Sequence, residues 1–126
     1  MVDGDTFRIE DGTTEGEKIR LIGVDAPESR KTFSKEVGYY GKEAKEFLQQ
    51  LLTDKRVKLE YDIDSTDQFG RTLAYVYLVD ATFVNAKLVK EGYAMVMTFP
   101  PNVKYSDLFL KLQHNARDTN KGLWGE

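Results

Sequence analysis

The chain has 126 residues, 40% apolar and 31% charged, the size and balance of one globular domain with a single core. Lys and Arg number 18 against 21 Asp and Glu, so the net charge is −3, which excludes a protein that coats nucleic acid by bulk positive charge and leaves any polyanion contact to a few local cations. The absence of cysteine excludes disulfides and cysteine zinc sites, and no apolar run is long enough to span a bilayer.

In chain order, Asp3-Gly4-Asp5-Thr6 predicts a bulge or tight bend, and Thr6 to Glu10 alternates like a half-buried strand. Asp11-Gly12 and Gly16 mark the turn of a hairpin over residues 5 to 24. Its second strand is read through Ile19, Leu21, Ile22 and Val24 and ends at Pro27. Alternation over that one strand places Ile22 and Val24 on the side of Arg20, and Leu21 on the side of Asp25. Ser29 to Gly38 is a polar loop with Arg30, Lys31 and Lys35.

Ala44, Phe47, Leu48, Leu51 and Leu52 form one helical stripe. Val57, Leu59 and Tyr61 alternate as a strand with one wet face. Asp64 to Gly70 is rich in turn formers, and Arg71 to Val79 is apolar on both sides, which predicts a central strand. Phe83 to Glu91 predicts a short helix capped by Gly92, and Tyr93 to Met97 a short strand. Ser106 is the expected cap of a last helix with Leu108, Leu112 and Ala116 on its apolar face, and Trp124 is expected to pack on the body. His114 stands among polar neighbours and is read as surface. Strands beside segregated helices predict one α+β domain over residues 1–126, its sheet a small closed or partly closed barrel.

Strand-end residues carry the candidate chemistry. Asp5, Asp25 and Glu28 are either solvated turn acids or, with Asp5 and Asp25 near ends of paired strands, a converging set of oxygen donors that selects a hard cation such as Ca²⁺ or Mg²⁺. Arg20 and Arg71 each begin an apolar run, and a guanidinium grips phosphate oxygens in two places at any working pH. Together they describe phosphodiester hydrolysis: a cation polarises the ester, Glu28 orients or deprotonates a water, and the arginines absorb the charge that builds on phosphorus-bound oxygens. Tyr39 and Tyr40 either stack on a base or pack the helix start, and Lys31 and Lys35 either steer a polyanion or are simply solvated.

The chain resembles the staphylococcal nuclease (thermonuclease) family. The resemblance runs through Asp3-Gly4-Asp5-Thr6, Arg20-Leu21-Ile22-Gly23-Val24-Asp25-Ala26-Pro27-Glu28, Tyr40-Gly41-Lys42-Glu43-Ala44, Asp67-Gln68-Phe69-Gly70-Arg71-Thr72-Leu73-Ala74-Tyr75, Val84-Asn85, Gly92-Tyr93-Ala94 and Gly122-Leu123-Trp124. It implies an OB-type barrel of five strands with three helices, its first strand upstream of Asp3. It implies Ca²⁺-dependent hydrolysis of DNA and RNA, single-stranded or denatured, by an endonuclease or exonuclease that cuts on the 5′-oxygen side and leaves 3′-phosphates. By resemblance, Asp5, Asp25 and the carbonyl of Ala26 hold the metal, Asp3 is a supporting acid nearby, Glu28 activates water, and Arg20 and Arg71 take the phosphate. A monomer that is secreted or held at the cell surface is expected, with an export signal encoded before Met1 and no membrane insertion.

Two stretches depart from the family pattern. Gln68-Phe69 stands where tight nucleotide binders have Lys-Tyr, and Met97-Thr98-Phe99-Pro100 stands where tyrosines are expected. Phe69 retains a face for stacking but has no hydroxyl for a phosphate. The competing expectation is a catalytically weak nucleic-acid-binding OB module of the same family, and the intact set Asp5, Arg20, Asp25, Glu28 and Arg71 argues against it.

Overall fold

A computed structural model describes residues 3–10, 12, 16–27 and 40–125. The expected upstream strand, Glu28, Lys31, Lys35 and Tyr39 lie outside the described residues. Among those described there are six strands and three α-helices: β1 (Thr6–Ile9), β2 (Glu17–Leu21), β3 (Val24–Asp25), α1 (Gly41–Leu52), β4 (Val57–Glu60), β5 (Thr72–Leu78), α2 (Val84–Lys90), β6 (Met95–Val96) and α3 (Ser106–Asp118), with a last 3-10 turn at Gly122–Trp124. The α+β class and the three helices are as expected.

The hairpin forms as read, β1 antiparallel to β2 with Thr6 opposite Arg20 and Arg8 opposite Lys18. β5 is central: β2 pairs with it in parallel and β4 antiparallel, giving the order β1-β2-β5-β4. The expected five-stranded barrel is not what the described residues form. They make an open mixed sheet with β1 and β4 at its edges, plus a separate ribbon of β3 and β6.

The main sheet and the ribbon part at Gly23. Its φ of +83 is a left-handed conformation that suits a residue without Cβ, and an added Cβ would stand 2.6 Å from the Phe109 ring. The single strand expected through Ile22 and Val24 therefore breaks after Leu21, and the chain leaves the main sheet to pair with β6. Simple alternation from Arg20 to Asp25 does not survive that turn.

The core gathers Ile19, Leu21, Val24, Leu48, Tyr75, Val76, Val84, Leu88 and Phe109. On α1 the buried residues are Gly41, Ala44, Leu48 and Leu52, with Phe47 and Leu51 at the margin, the stripe the spacing predicts. α3 is rotated from its expected face. Phe109 and Ala116 are buried and Leu112 partly so, while Leu108 is 40% exposed. Phe109 wins because its ring fills the space that Gly23 leaves open and meets Tyr75, Phe83 and Tyr105. Ser106 is the first residue of α3 rather than its cap, which is Tyr105, and no side chain closes that end. Gly92, at φ +80, turns the chain after α2, its N–H donating to the Val89 carbonyl. His114 is exposed and pairs with Asp118 at 3.2 Å, and Trp124 packs beneath Arg117.

Candidate active site

The site begins at a turn. The N–H of Asp3 donates to the carbonyl of Thr6 at 3.1 Å, and the N–H of Thr6 returns a bond to Asp3 at 3.3 Å. Gly4 lies between, pressed on the helix. A Cβ there would stand 2.7 Å from that of Ala44 and 2.9 Å from that of Ala26, so the glycine serves close packing. The turn delivers Asp5 into the protein, where it is 6% exposed.

A buried carboxylate needs donors and opposite charge. Asp5 has both. Its Oδ2 accepts the N–H of Ala26 at 2.7 Å, its Oδ1 accepts the Thr6 hydroxyl at 3.0 Å, and Arg20 Nη2 lies 3.6 Å from Oδ2. The same Arg20 Nη2 lies 3.6 Å from Oδ1 of Asp25, whose side chain is 43% exposed. Two carboxylates twenty residues apart thus face one guanidinium nitrogen. Asp25 is held there by β3, itself held by β6. The N–H of Val96 in β6 donates to Gln113 Oε1 on α3.

Arg20 is fixed from its other side. Nη1 donates to the carbonyls of Leu21 at 2.7 Å and Val24 at 2.6 Å, the two ends of the Gly23 turn. The break in the strand is what allows this, because a continuous strand would give those carbonyls to a ladder. Asn85, fully buried on α2, ties the same turn to β5: its Nδ2 donates to the Ile22 carbonyl at 2.8 Å, and its Oδ1 accepts the N–H of Val76 at 2.9 Å.

Arg20 and Arg71 line one cleft of about 510 Å³. Arg71 is aimed by Asp67, whose Oδ2 accepts its Nε–H at 2.7 Å while Oδ1 accepts the N–H groups of Phe69 and Arg71. Burial opposes ionisation of Asp67, yet the Arg71 backbone and guanidinium and the Phe69 N–H outweigh it and hold the carboxyl below its ordinary range. The Arg71 guanidinium lies 5.5 Å from the Phe69 ring centroid. Phe69 is 72% exposed and Phe99 66%, and both line the cleft with Met97. Buried Asn102 anchors that wall by exchanging two hydrogen bonds with the Asp64 backbone.

Of the expected residues, the structure brings Asp5, Asp25, Ala26 and Arg20 together and sets Arg71 and Phe69 on the same cleft. Asp3 shapes the turn. Tyr40 stacks at a tilt on Tyr93, 5.3 Å away, and is not among the described residues of the cleft. Glu28 and Lys31 lie outside the described residues. Among the described residues no three His, Cys, Asp or Glu side chains cluster as a metal cage. The acidic donors present, Asp5 and Asp25, are nevertheless oxygen donors, which suit a hard cation that completes its shell with other oxygens.

Asp67, Asn85 and Asn102 were assigned no role from the sequence. A signal existed for Asp67, since Asp-x-x-Gly-Arg combines a side-chain-closed turn with an Asp–Arg pair four apart. Asn85 and Asn102 carry no such signal, because their partners are 9 to 63 residues away.

Comparison with known proteins supplies a family. The family model described as "Staphylococcal nuclease homologue" matches residues 18–126. A thermonuclease of Staphylococcus intermedius is 46% identical over 124 residues, 98% of this chain and 72% of the relative. That of Staphylococcus hyicus is 43% identical over the same shares. The endonuclease YncB of Bacillus subtilis is 36% identical over 99% of this chain and 59% of its own length.

Proposed function

The chain belongs to the staphylococcal nuclease family and is a nuclease, a phosphodiester hydrolase, and from that premise we propose Ca²⁺-dependent cleavage of DNA and RNA on the 5′-oxygen side, leaving 3′-phosphates. One observation carries the reading: the Asp5 and Asp25 carboxylates share one nitrogen of Arg20, in a chain whose Arg20 and Arg71 line the same cleft. Carboxylates beside phosphate-binding arginines would repel the substrate's phosphate unless a cation lies between them.

Asp5, Asp25 and the Ala26 carbonyl would hold Ca²⁺, which when bound supplies Lewis-acid polarisation of the ester. Arg20 and Arg71 bind the phosphoryl oxygens and offset the charge that accumulates on them. Glu28 orients or deprotonates the water. The water oxygen bonds to phosphorus, the bond to the 5′-oxygen breaks, and the departing oxygen takes a proton from solvent, since a guanidinium does not release one. Asp3 supports Asp5 through its turn. Phe69 offers a face to an unpaired base, which favours single-stranded or denatured substrate. Lys31 steers the polyanion, and Tyr40 stands at the margin, on the start of α1. The open sheet and its ribbon are read as an OB-type barrel, and the enzyme as a monomer working outside the cell or at its surface. No described helix is long and apolar enough to cross a membrane.

The test is digestion of end-labelled denatured DNA and of RNA with Ca²⁺, with a chelator, and with Glu28→Ala in Ca²⁺. Phosphatase-sensitive 3′ ends, lost with chelator, are expected. Full activity in chelator would remove the metal from the reading, and 5′-phosphate ends would reverse the side of cleavage.

A further inference from the structure

We propose that Lys18 and Arg8 extend the phosphate-binding face of the cleft along the β1–β2 hairpin, and that they take phosphates flanking the scissile one of a single-stranded polynucleotide. The proposal rests on the nuclease reading for its substrate class.

The register supplies the geometry. Residues opposite one another in a sheet share a face. Thr6 is opposite Arg20 and Arg8 opposite Lys18, so Arg8, Lys18 and Arg20 lie on one face of the hairpin. On the other side of β2, Ile19 pairs with Thr72 and Arg20 with Leu73 in parallel. Arg71 directly precedes β5, and continuing the register one residue beyond the paired segment places it next to Lys18. Lys18 therefore stands between Arg8 and Arg71 in a row across three neighbouring strands, with Arg20 two residues further along β2. Strand spacing of about 4.8 Å and a rise of about 6.8 Å per two residues put neighbouring cations within reach of successive phosphates.

Energetics give the row its meaning. Arg8 stands opposite Lys18 on the antiparallel pair, where two like charges do not stabilise each other. Lys18 has no ion pair among the described residues, whereas Lys87, Lys104 and Lys121 are each bridged to a glutamate. In a chain of net charge −3, Arg20 already faces Asp5 and Asp25 and Arg71 is paired with Asp67, so within the row Lys18 supplies charge for a flanking phosphate. A polyanion laid along the hairpin gains that attraction.

The experiment compares Lys18→Glu, Lys18→Arg and Arg8→Gln with the unmodified protein, using Lys90→Glu on α2 as a control for net charge. Binding of a fluorescent denatured oligonucleotide is titrated in chelator over a range of salt. KM and kcat are measured with Ca²⁺ on that oligonucleotide and on a nitrophenyl phosphodiester of one nucleoside. For Lys18→Glu, oligonucleotide affinity is expected to fall about three- to tenfold at low salt, with the salt slope reduced by about 0.7 for each phosphate no longer engaged. The small ester should be turned over unchanged, and Lys18→Arg should restore binding. Equal losses on both substrates, or an effect no larger than that of Lys90→Glu, would overturn the track. Oligonucleotide binding without hydrolysis of either substrate by the unmodified protein would overturn the nuclease reading alone, because the chelator titration still reports the track.

Discussion

Arg20 and Arg71 share a charge and a cleft but differ in how each is held, and that difference can be measured. Arg20 bonds two backbone carbonyls and faces two carboxylates, so Arg20→Ala removes a turn anchor and leaves Asp5 buried without its cation. Arg71 is held by one aspartate at the margin of the loop. Either substitution should lower kcat by about 10²–10³, the scale of losing one charge-stabilising donor. Only Arg20→Ala should also lower the urea midpoint, by about 1–3 kcal/mol in stability. Equal stability of the two variants in urea titrations would show that the Arg20 contacts do not hold the turn. A second outcome concerns Gln68 and Phe69. A nucleoside 3′,5′-bisphosphate should inhibit this protein less than a family member bearing Lys-Tyr there, since an amide and a phenyl ring supply neither charge nor hydroxyl to the terminal phosphate. Matching inhibition constants would refute this.

The turn after β2 is the element on which the site depends. Gly23 supplies a positive φ and the space for Phe109, and Asn85 bonds the turn to β5 from beneath. Gly23→Ala combines backbone strain with a 2.6 Å approach to a ring packed among aromatics, and should cost about 1–3 kcal/mol or more. Asn85→Ala strands the Val76 N–H and the Ile22 carbonyl and should cost about 1–3 kcal/mol. Both are read by thermal or urea unfolding, and because the turn sets Arg20, activity should fall before the fold is lost. Full activity at wild-type stability in Gly23→Ala would show that the turn does not govern the arginine.

Over the whole molecule, the junction between β4 and the start of α3 is ionic. The hydrogen bond from Lys104 outweighs burial and, with those of Tyr105 and Tyr77, lowers the Glu60 carboxyl below its ordinary 4.5. For Asp62 burial acts the other way but is exceeded by the Tyr75 hydroxyl and the Lys104 and Ile63 N–H groups, which lower it below 3.8. A carboxyl lowered in the folded state contributes its stabilisation above the unfolded value, and loses it as pH falls through the folded one. The urea midpoint is therefore expected to decline below about pH 4.5, and Glu60→Gln should lower the neutral plateau and flatten the acid limb. An unchanged acid limb in that variant would assign the acid sensitivity elsewhere.

The hairpin, the amphipathic α1, the central β5 and the strand-end placement of Asp5, Asp25 and Arg71 were legible because each depends on local periodicity or on residue chemistry at a strand end, whereas Arg20, expected to begin its strand, lies near the end of β2. What could not be read were the contacts between distant segments. Nothing near Gly23 in the chain announces Phe109, nothing near Ile22 announces Asn85, and the face that α3 buries depends on the ring that Gly23 admits. Sequence alone singled out the chemistry of Asp5, Arg20, Asp25 and Arg71. Tertiary packing decided that the strand breaks after Leu21, and that break turns the Arg20 guanidinium onto two acids, because a backbone free of the ladder can give its carbonyls to a side chain.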